Sequence, residues 1–433
     1  METTKYFFND IVVGEEGLLK GPFGSDLKKE LYVPKGKTTY KVYLQENILK
    51  QNNAVGEHYI SKDYYEKSMK RYAVKEGDFI VTCDGTLGEI FQLKNITEPG
   101  IISSSLLRIT LDKTKCDEKF FPYFFKAKMK VPLITQANNS VLKHLPGLTN
   151  IRNFSIDLPT LPVQKKIASV LAALDDKIAL NQRINRNLEE LARLIYDYWF
   201  VQFDFPDKNG KPYKTSGGKM VYNDQLKREI PAGWEVVDIN KLCQVVDCLH
   251  SKKPNYCFED ERFYLLSLEN ITKDGYIDLS DKYYISQKDF EEWTSRICVK
   301  ENDFLFTNAG RAGDMGMVPK GVKCAIGRNI TSVRPIAINP WYLRCFFKSL
   351  YMREQILGNL DQGSFFMSFN VRSIKKLNIL IPPPAILDIF LKKTESYLSE
   401  IENNLSEIAK LTTLRDRLLP LLMNGQVSVE NLS

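Results

Sequence analysis

Residues Leu158 to Trp199 read LPTLPVQKKIASVLAALDDKIALNQRINRNLEELARLIYDYW. Apolar side chains recur at Ile167, Leu171, Leu174, Ile178, Leu188, Ala192, Ile195 and Trp199. Asn181 and Asn185 fill the two gaps, so the steps alternate between four and three. That is a heptad seam, the pattern of one long helix lying along another. Pro159 and Pro162 sit where proline is tolerated, at the start of the helix. Roughly forty helical residues at 1.5 Å each make a rod of about 60 Å, too long to be hidden in one small domain.

The partner lies further along the chain. Shifted by 223 residues, Leu174, Ile178, Asn181, Asn185, Leu188, Leu191, Ile195 and Tyr198 fall on Tyr397, Ile401, Asn404, Ile408, Leu411, Leu414, Leu418 and Leu421. The polar position is kept, Asn181 on Asn404, which marks a register-setting residue in each seam. Leu158-Pro159 falls on Ile381-Pro382, the entry to each rod. Two copies of a long helix are therefore expected, each the natural partner of the other.

At 433 residues the chain has room for several domains and an ample core. A hydrophobic content of 43% and a charged content of 26% are ordinary for a soluble protein. No apolar run approaches the ~20 residues of a membrane span. METTKYFFND at the N-terminus lacks the basic-then-apolar layout of a signal peptide. The eight cysteines are scattered, which fits a reducing cytoplasm. A net charge of +7 is compatible with nucleic acid but does not demand it.

Residues 1–157 form a mixed region. Ile11-Val12-Val13, YKVYL, DFIVT, IFQL and LLRIT read as strands, and FPYFFKAKM reads as a short helix. The first rod follows. Residues 200–233 are rich in Gly, Pro and Lys without a period, and read as a linker or an irregular docking segment. Residues 234–380 repeat the mixed pattern, with WEVVDI, FYLLSL, FLFT and ITSVRP as strands and WYLRCFFKSL as a helix. The second rod runs from about Pro384 to Asn424, where Gly425 is placed to end it.

The mixed regions are copies too. Glu76-Gly-Asp-Phe-Ile-Val-Thr-Cys-Asp-Gly-Thr-Leu-Gly88 matches Glu301-Asn-Asp-Phe-Leu-Phe-Thr-Asn-Ala-Gly-Arg-Ala-Gly313 at a shift of 225. Phe124-Phe-Lys126 matches Phe346-Phe-Lys348 at a shift of 222. Several motifs agreeing on nearly one offset define a gross repeat of domain plus rod. If the rods pair antiparallel, the two domains are related by an approximate two-fold axis, as are the strands of duplex DNA. Such a two-headed chain suits two half-sites with the rods fixing the gap. Because the heads differ in sequence, the half-sites should differ.

These residues carry a resemblance to the specificity (S) subunits of type I restriction–modification systems, over essentially the whole length. The resemblance rests on Leu158-Pro-Thr-Leu-Pro-Val-Gln-Lys-Lys-Ile167, Trp199-Phe200, Gly210-Lys-Pro-Tyr213, Ser216-Gly-Gly-Lys-Met220 and Ile230-Pro-Ala-Gly-Trp-Glu235. It rests equally on Gly21-Pro-Phe-Gly-Ser25 and Leu418-Leu-Pro-Leu-Leu-Met-Asn-Gly-Gln426. Two departures stand out. Val163 sits where the family commonly has Glu, and the second entry, Ile381-Pro-Pro-Pro-Ala-Ile-Leu387, lacks the Gln altogether.

The resemblance implies an α+β chain: two globular α/β target-recognition domains separated by two long helices in an antiparallel coiled coil, a pseudo-two-fold internal repeat. In that layout residues 1–157 are the first recognition domain, 158–200 the first spacer helix and 201–233 a linker that docks a methyltransferase. Residues 234–380 are the second domain, 381–425 the second helix and 426–433 a tail. It further implies a non-catalytic, cytoplasmic subunit that reads a bipartite asymmetric site in double-stranded DNA. Two methyltransferase (M) subunits and restriction (R) subunits would be its partners. S-adenosylmethionine would belong to M, and ATP and magnesium to R, leaving no cofactor in this chain.

A search for chemistry points the same way. The sequence has no Asn/Asp-Pro-Pro-aromatic tetrapeptide of an adenine methylase and no G-x-x-x-x-G-K-[ST] phosphate loop. His58, His144 and His250 leave few candidates for acid–base work. Cys243, Cys248, His250 and Cys257 match no common zinc framework, so no metal is expected. The candidate DNA contacts are Gly21, Phe23, Gly24 and Ser25 with Lys28 and Lys29, suited to phosphate. Asp84 and Thr86, with Asn308 and Arg311, lie on the repeated glycine loops, while Arg328, Asn329, Gln362 and Ser364 carry groups suited to base edges. Each of these also has a plain reading as a turn or a solvated charge. The helix seam is expected at Leu174, Ile178, Asn181, Leu188 and Ile195 against Tyr397, Ile401, Asn404, Leu411 and Leu418. The rival readings are a two-headed protein–protein adaptor without DNA specificity, and an enzyme in its own right.

Overall fold

The computed structural model describes residues 2–135, 145–279, 282–362 and 367–427. Its contacts divide the chain into two units, Met1–Ile178 with Lys410–Ser433, and Ala179–Ala409.

The first unit is built on a four-stranded antiparallel sheet, in the order Leu18–Lys20, Leu106–Ile109, Phe79–Thr82, Ile90–Gln92. The two central strands are buried along their whole length, because both faces of this sheet are covered. Alternation sorts their side chains. Phe79, Val81, Leu107 and Ile109 join a core with Phe120, Phe121 and Phe125 of the following helical segment. Ile80 and Leu106 point the other way, to Tyr43 and Ile48. A second sheet pairs Thr39–Tyr43 in parallel with Gly100–Ile102. Thr3–Phe7 and Ser155–Pro159 form an antiparallel frame that delivers the chain to the first long helix.

The second unit repeats this plan. Its central sheet runs Cys243–Asp247, Ile330–Pro335, Phe304–Thr307, Met315–Met317, the same order and the same antiparallel sense. Tyr264–Leu266 pairs in parallel with Lys323–Ile326. Glu235–Asp238 and Asn378–Ile381 make the equivalent frame. The flanking strands of the second sheet differ between the units.

The long helices are Leu161–Tyr196 and Pro384–Met423. The first begins at Leu161 because the residues before it, Ser155–Pro159, are spoken for as a strand. Gly425, at φ 68°, supplies the left-handed residue that stops the second. In the first unit Ile167, Ala168 and Leu171 share a core with Leu419, Leu422 and Met423, and Arg415 donates to Asp175 at 2.8 Å. In the second, Asn181 donates to Glu407 at 2.6 Å and Asn404 to Asn185 at 2.9 Å. Rising numbers on one helix meet falling numbers on the other, so within each unit the pairing is antiparallel.

Ile178, Asn181, Ile401 and Asn404 are buried, and Leu174, Leu188, Ile195, Tyr397, Leu411 and Leu418 are half-buried. The repeat alignment of the rods fails at Leu191, Tyr198 and Leu414, which are 46%, 40% and 45% exposed. An undistorted helix drifts from a strict seven-residue repeat. The buried stripe moves to Ala192, Tyr196 and Trp199, where it meets Phe390.

Two local readings are corrected. Ile11-Val12-Val13 is not a strand: Ile11 closes a 3₁₀ turn and Val12 makes a single bridge to Leu111. Residues 200–233 are not a loose linker. Phe203, Phe205, Ile230 and Trp234 are buried in the core of the second unit, and Met220–Asn223 pairs with Arg228–Pro231 as a hairpin. The aromatics are too irregularly spaced to show a period, yet they pack ring on ring, Phe205 against Tyr213 at 4.6 Å. Arg228 closes the segment by donating to the Val201 carbonyl at 2.8 Å over the Phe203 ring.

Candidate nucleic-acid interface

Strand register gathers three loops at one end of each central sheet. In the first unit Leu18–Lys20 ends beside Leu107, and Thr82 pairs with Leu106. The loops leaving these points are Gly21–Lys29, Cys83–Gly88 and Ser103–Ser105. Gly21 is held by its N–H donating to the Leu106 carbonyl at 2.9 Å. A Cβ there would stand 1.9 Å from the Ser103 carbonyl oxygen, so glycine is required by close approach. Pro22 and Leu27 are buried, while Phe23 is 81% exposed between them. Asp84 lies 4.0 Å from Lys20, and its carbonyl accepts from Gln45 at 2.7 Å.

The glycine loops are one turn built twice. Gly88 N–H donates to the Thr82 carbonyl and Gly313 N–H to the Thr307 carbonyl, both at 2.9 Å. Gly85, Gly88, Gly310 and Gly313 have φ of 69°, 71°, 77° and 88°. The positive φ explains these glycines without reference to a ligand.

In the second unit the corresponding loops are Cys248–Cys257, Asn308–Gly313 and Gly327–Asn329. Asp247 is the hub. Its carboxylate accepts from the Cys248 N–H at 3.0 Å, from His250 Nε2 at 2.8 Å, and from Asn308 and Thr331 at 3.4 Å. Asp247, Cys248 and His250 also place one ligand atom each within 4.8 Å of one another. These atoms are already engaged, and burial pushes the Cys248 thiol up, away from the thiolate a metal requires. Lys252, Lys253, Tyr256 and Phe258 are exposed further along the chain from His250, with Lys253 Nζ 3.7 Å from the Tyr283 ring centroid. Cations interleaved with aromatics suit a phosphate backbone and stacked bases.

The domain family described as the type I restriction modification DNA specificity domain matches residues 24–190. The MjaIX specificity subunit of Methanocaldococcus jannaschii is 25% identical over 388 residues, covering 86% of this chain and 84% of that protein. The HindI specificity subunit of Haemophilus influenzae is 22% identical, over 64% of this chain and 70% of its own. Among solved structures, the S subunit of a type I system from M. genitalium superposes with a TM-score of 0.50 at 14% identity, over 98% of this chain and 96% of that one. That likeness speaks for the fold.

The chain is similar to the type I restriction–modification specificity subunits.

The residues expected to meet DNA do not all face solvent. Phe23, Gly24, Ser25, Lys28, Lys29 and Thr86 are exposed in one loop cluster, and Gly21 and Asp84 support it. Arg328 and Asn329 are exposed in the other, Asn329 with φ 64°. Asn308 is 7% exposed and bonded to Thr331 at 2.9 Å, so it braces the loops. Arg311 turns inward: its guanidinium donates to the carbonyls of Leu268 and Ile271 at 2.8 and 2.7 Å. Gln362 belongs to the short strand Asp361–Gln362, paired with Met367–Ser368, and Phe369 N–H bonds the Asn308 carbonyl beside it. Ser364 lies outside the described residues.

Sequence reading missed Gln45 and Asp247, and weighed His250 for zinc alone. It also missed two buried hubs, Asn47 and Asn270. Each accepts from the backbone N–H three residues earlier, Leu44 and Ser267, at 2.8 Å. The signal was present: Glu46-Asn-Ile48 and Glu269-Asn-Ile271 repeat at a shift of 223.

Proposed function

We propose that this chain dictates where a type I restriction–modification complex acts on DNA, each unit reading one half of a bipartite, asymmetric site. The supporting observation is the pair of loop clusters. The same strand ends and the same glycine turn recur in both units, while the exposed side chains they carry are different. One scaffold with two sets of contacts suits two half-sites of different sequence. The adaptor reading has no comparable observation in its favour.

In this reading the chain is a non-catalytic subunit. It docks two methyltransferase subunits, which hold S-adenosylmethionine, and restriction subunits, which hold ATP and magnesium. Adenine methylation and ATP-dependent cleavage then occur where the recognition loops direct them. The paired helices and the packed segment from Phe200 to Trp234 are the surfaces we assign to the methyltransferases.

The test is binding of duplex DNA by the complex of this chain with its methyltransferase subunits, across a salt series. Affinity should fall steeply and linearly on a log–log plot, with preference for one bipartite sequence. Methylation by that complex without sequence preference would refute the proposal.

A further inference from the structure

The two recognition loops can be superposed residue by residue from strand register. Phe79 and Phe304 are equivalent in the repeat and pair with Ile109 and Val333. Those residues pair in turn with Leu18 and Val245. Lys20 is therefore equivalent to Asp247 and Gly21 to Cys248. The backbone agrees: Gly21 N–H donates to Leu106 O at 2.9 Å, and Cys248 N–H to Ile330 O at 3.2 Å. Two residues on, Phe23 corresponds to His250.

Both positions offer a planar ring to solvent, 81% exposed for Phe23 and 54% for the His250 side chain. The backbone under Phe23 and the ring of His250 are held in place. The Phe23 turn is fixed by Gly21, by buried Leu27, and by the Asp26 N–H donating to the Phe23 carbonyl at 2.9 Å. His250 is fixed by Asp247 at 2.8 Å. A fixed backbone turn under Phe23 and an anchored ring at His250 reduce the freedom lost on binding. Lys28 and Lys29 on one side, and Lys252 and Lys253 on the other, make a polyanion the fitting occupant.

We propose that Phe23 and His250 are counterpart DNA-contacting rings, one for each half-site, each contributing to the preference of its own half. This rests on the DNA-reading function proposed above and goes beyond it by assigning two specificity positions. The rings act differently. Phe23 presents an apolar face, suited to a thymine methyl or an unstacked base. His250 has Nε2 committed to Asp247, which leaves Nδ1 to meet a polar base edge. Asp247 is a positioning residue.

The test uses the complex with its methyltransferase subunits and a site first read by methylome sequencing. Affinity is measured by fluorescence anisotropy at fixed salt on three duplexes: the intact site, one with the first half scrambled, and one with the second half scrambled. Phe23→Ala should weaken binding to the intact site roughly five- to tenfold. It should reduce the cost of scrambling one half and leave the cost of the other unchanged. Phe23→Trp should retain the wild-type pattern. His250→Ala and His250→Phe should do the same to the opposite half. His250→Asn, which keeps a polar atom near the Nδ1 position, should lose less. Both rings are exposed, so unfolding temperatures should stay at the wild-type value.

Equal loss on all three duplexes, loss confined to the same half for both positions, or no loss would overturn the proposal while leaving the DNA-reading function intact. Loss of wild-type preference for the second half on adding a zinc chelator would overturn it too, by giving the Asp247–Cys248–His250 cluster to a metal. A wild-type complex with no preference among the duplexes would refute both.

Discussion

At the scale of single residues, the strongest constraint is a carboxylate carried by the first long helix. Glu189 lies in the second unit among Arg344, Lys348 and Tyr276, whose hydroxyl donates to it at 2.7 Å. Burial raises its carboxyl, but Arg344 and Lys348 outweigh burial and hold it below the usual carboxylate range. Its contribution to stability is therefore present above about pH 4.3, the unfolded value, and is lost as pH falls through the lower folded value. Glu189→Gln leaves Arg344 buried without its counter-charge and should cost about 3 kcal/mol, with a flatter acid limb in urea titrations at several pH values. An unchanged midpoint at neutral pH would contradict this. None of it was legible in the sequence, where Glu189 sits in a run of helix-surface charges. Arg311 shows the converse. Its place on a glycine loop suggested DNA, but its guanidinium donates to two backbone carbonyls within its reach. Gly21 was legible as a turn, while its requirement for glycine comes from Ser103, eighty-two residues away in the chain.

At the scale of elements, the long helices were the most legible part, because a seam of apolar residues declares itself over many turns. What periodicity did not carry was the pairing of its polar members. Asn181 and Asn404 align in the repeat, yet Asn404 bonds Asn185 and Asn181 bonds Glu407. Asn404→Leu should destabilise by about 1–3 kcal/mol, because the Asn185 amide is left buried without its partner. Adding Asn185→Leu should recover most of that loss by thermal unfolding; strict additivity of the two losses would count against direct pairing. The entry to the first helix is tied down by Gln164, which is fully buried. It donates to Pro159 O at 2.8 Å and Lys115 O at 3.0 Å, and accepts from Asp117 N–H at 2.8 Å. Gln164→Leu should cost roughly 2–4 kcal/mol for the unsatisfied backbone groups, read as a lower unfolding temperature. The aligned position at the second entry is Leu387, so Leu387→Ala should act through lost packing instead. The segment from residue 200 to 233 was the least legible, since its packing depends on irregularly spaced aromatics and a hairpin with no alternating pattern.

At the scale of the whole molecule, the repeat was readable because motifs on strands, helix and rods share nearly one offset. The second sheets were not, because their flanking strands differ between the units. The interface was half legible: loop positions followed from glycines and turns, but which side chains face outward depends on strand register. We propose that the length of the paired helices sets the number of unread base pairs between half-sites. Inserting one heptad in each helix at matched positions should lengthen that gap by about 10 Å, or about three base pairs, with the bases of each half unchanged. An unchanged gap would mean the helices are not the ruler. The most direct measurement is methylome sequencing of cells that carry this chain with its methyltransferase partner, before and after residues 1–157 are exchanged for those of a relative. The expected result is one bipartite, asymmetric methylated sequence, of which one half changes on exchange while the other half and the gap stay the same. Methylation without a defined sequence, or an exchange that alters both halves, would contradict it.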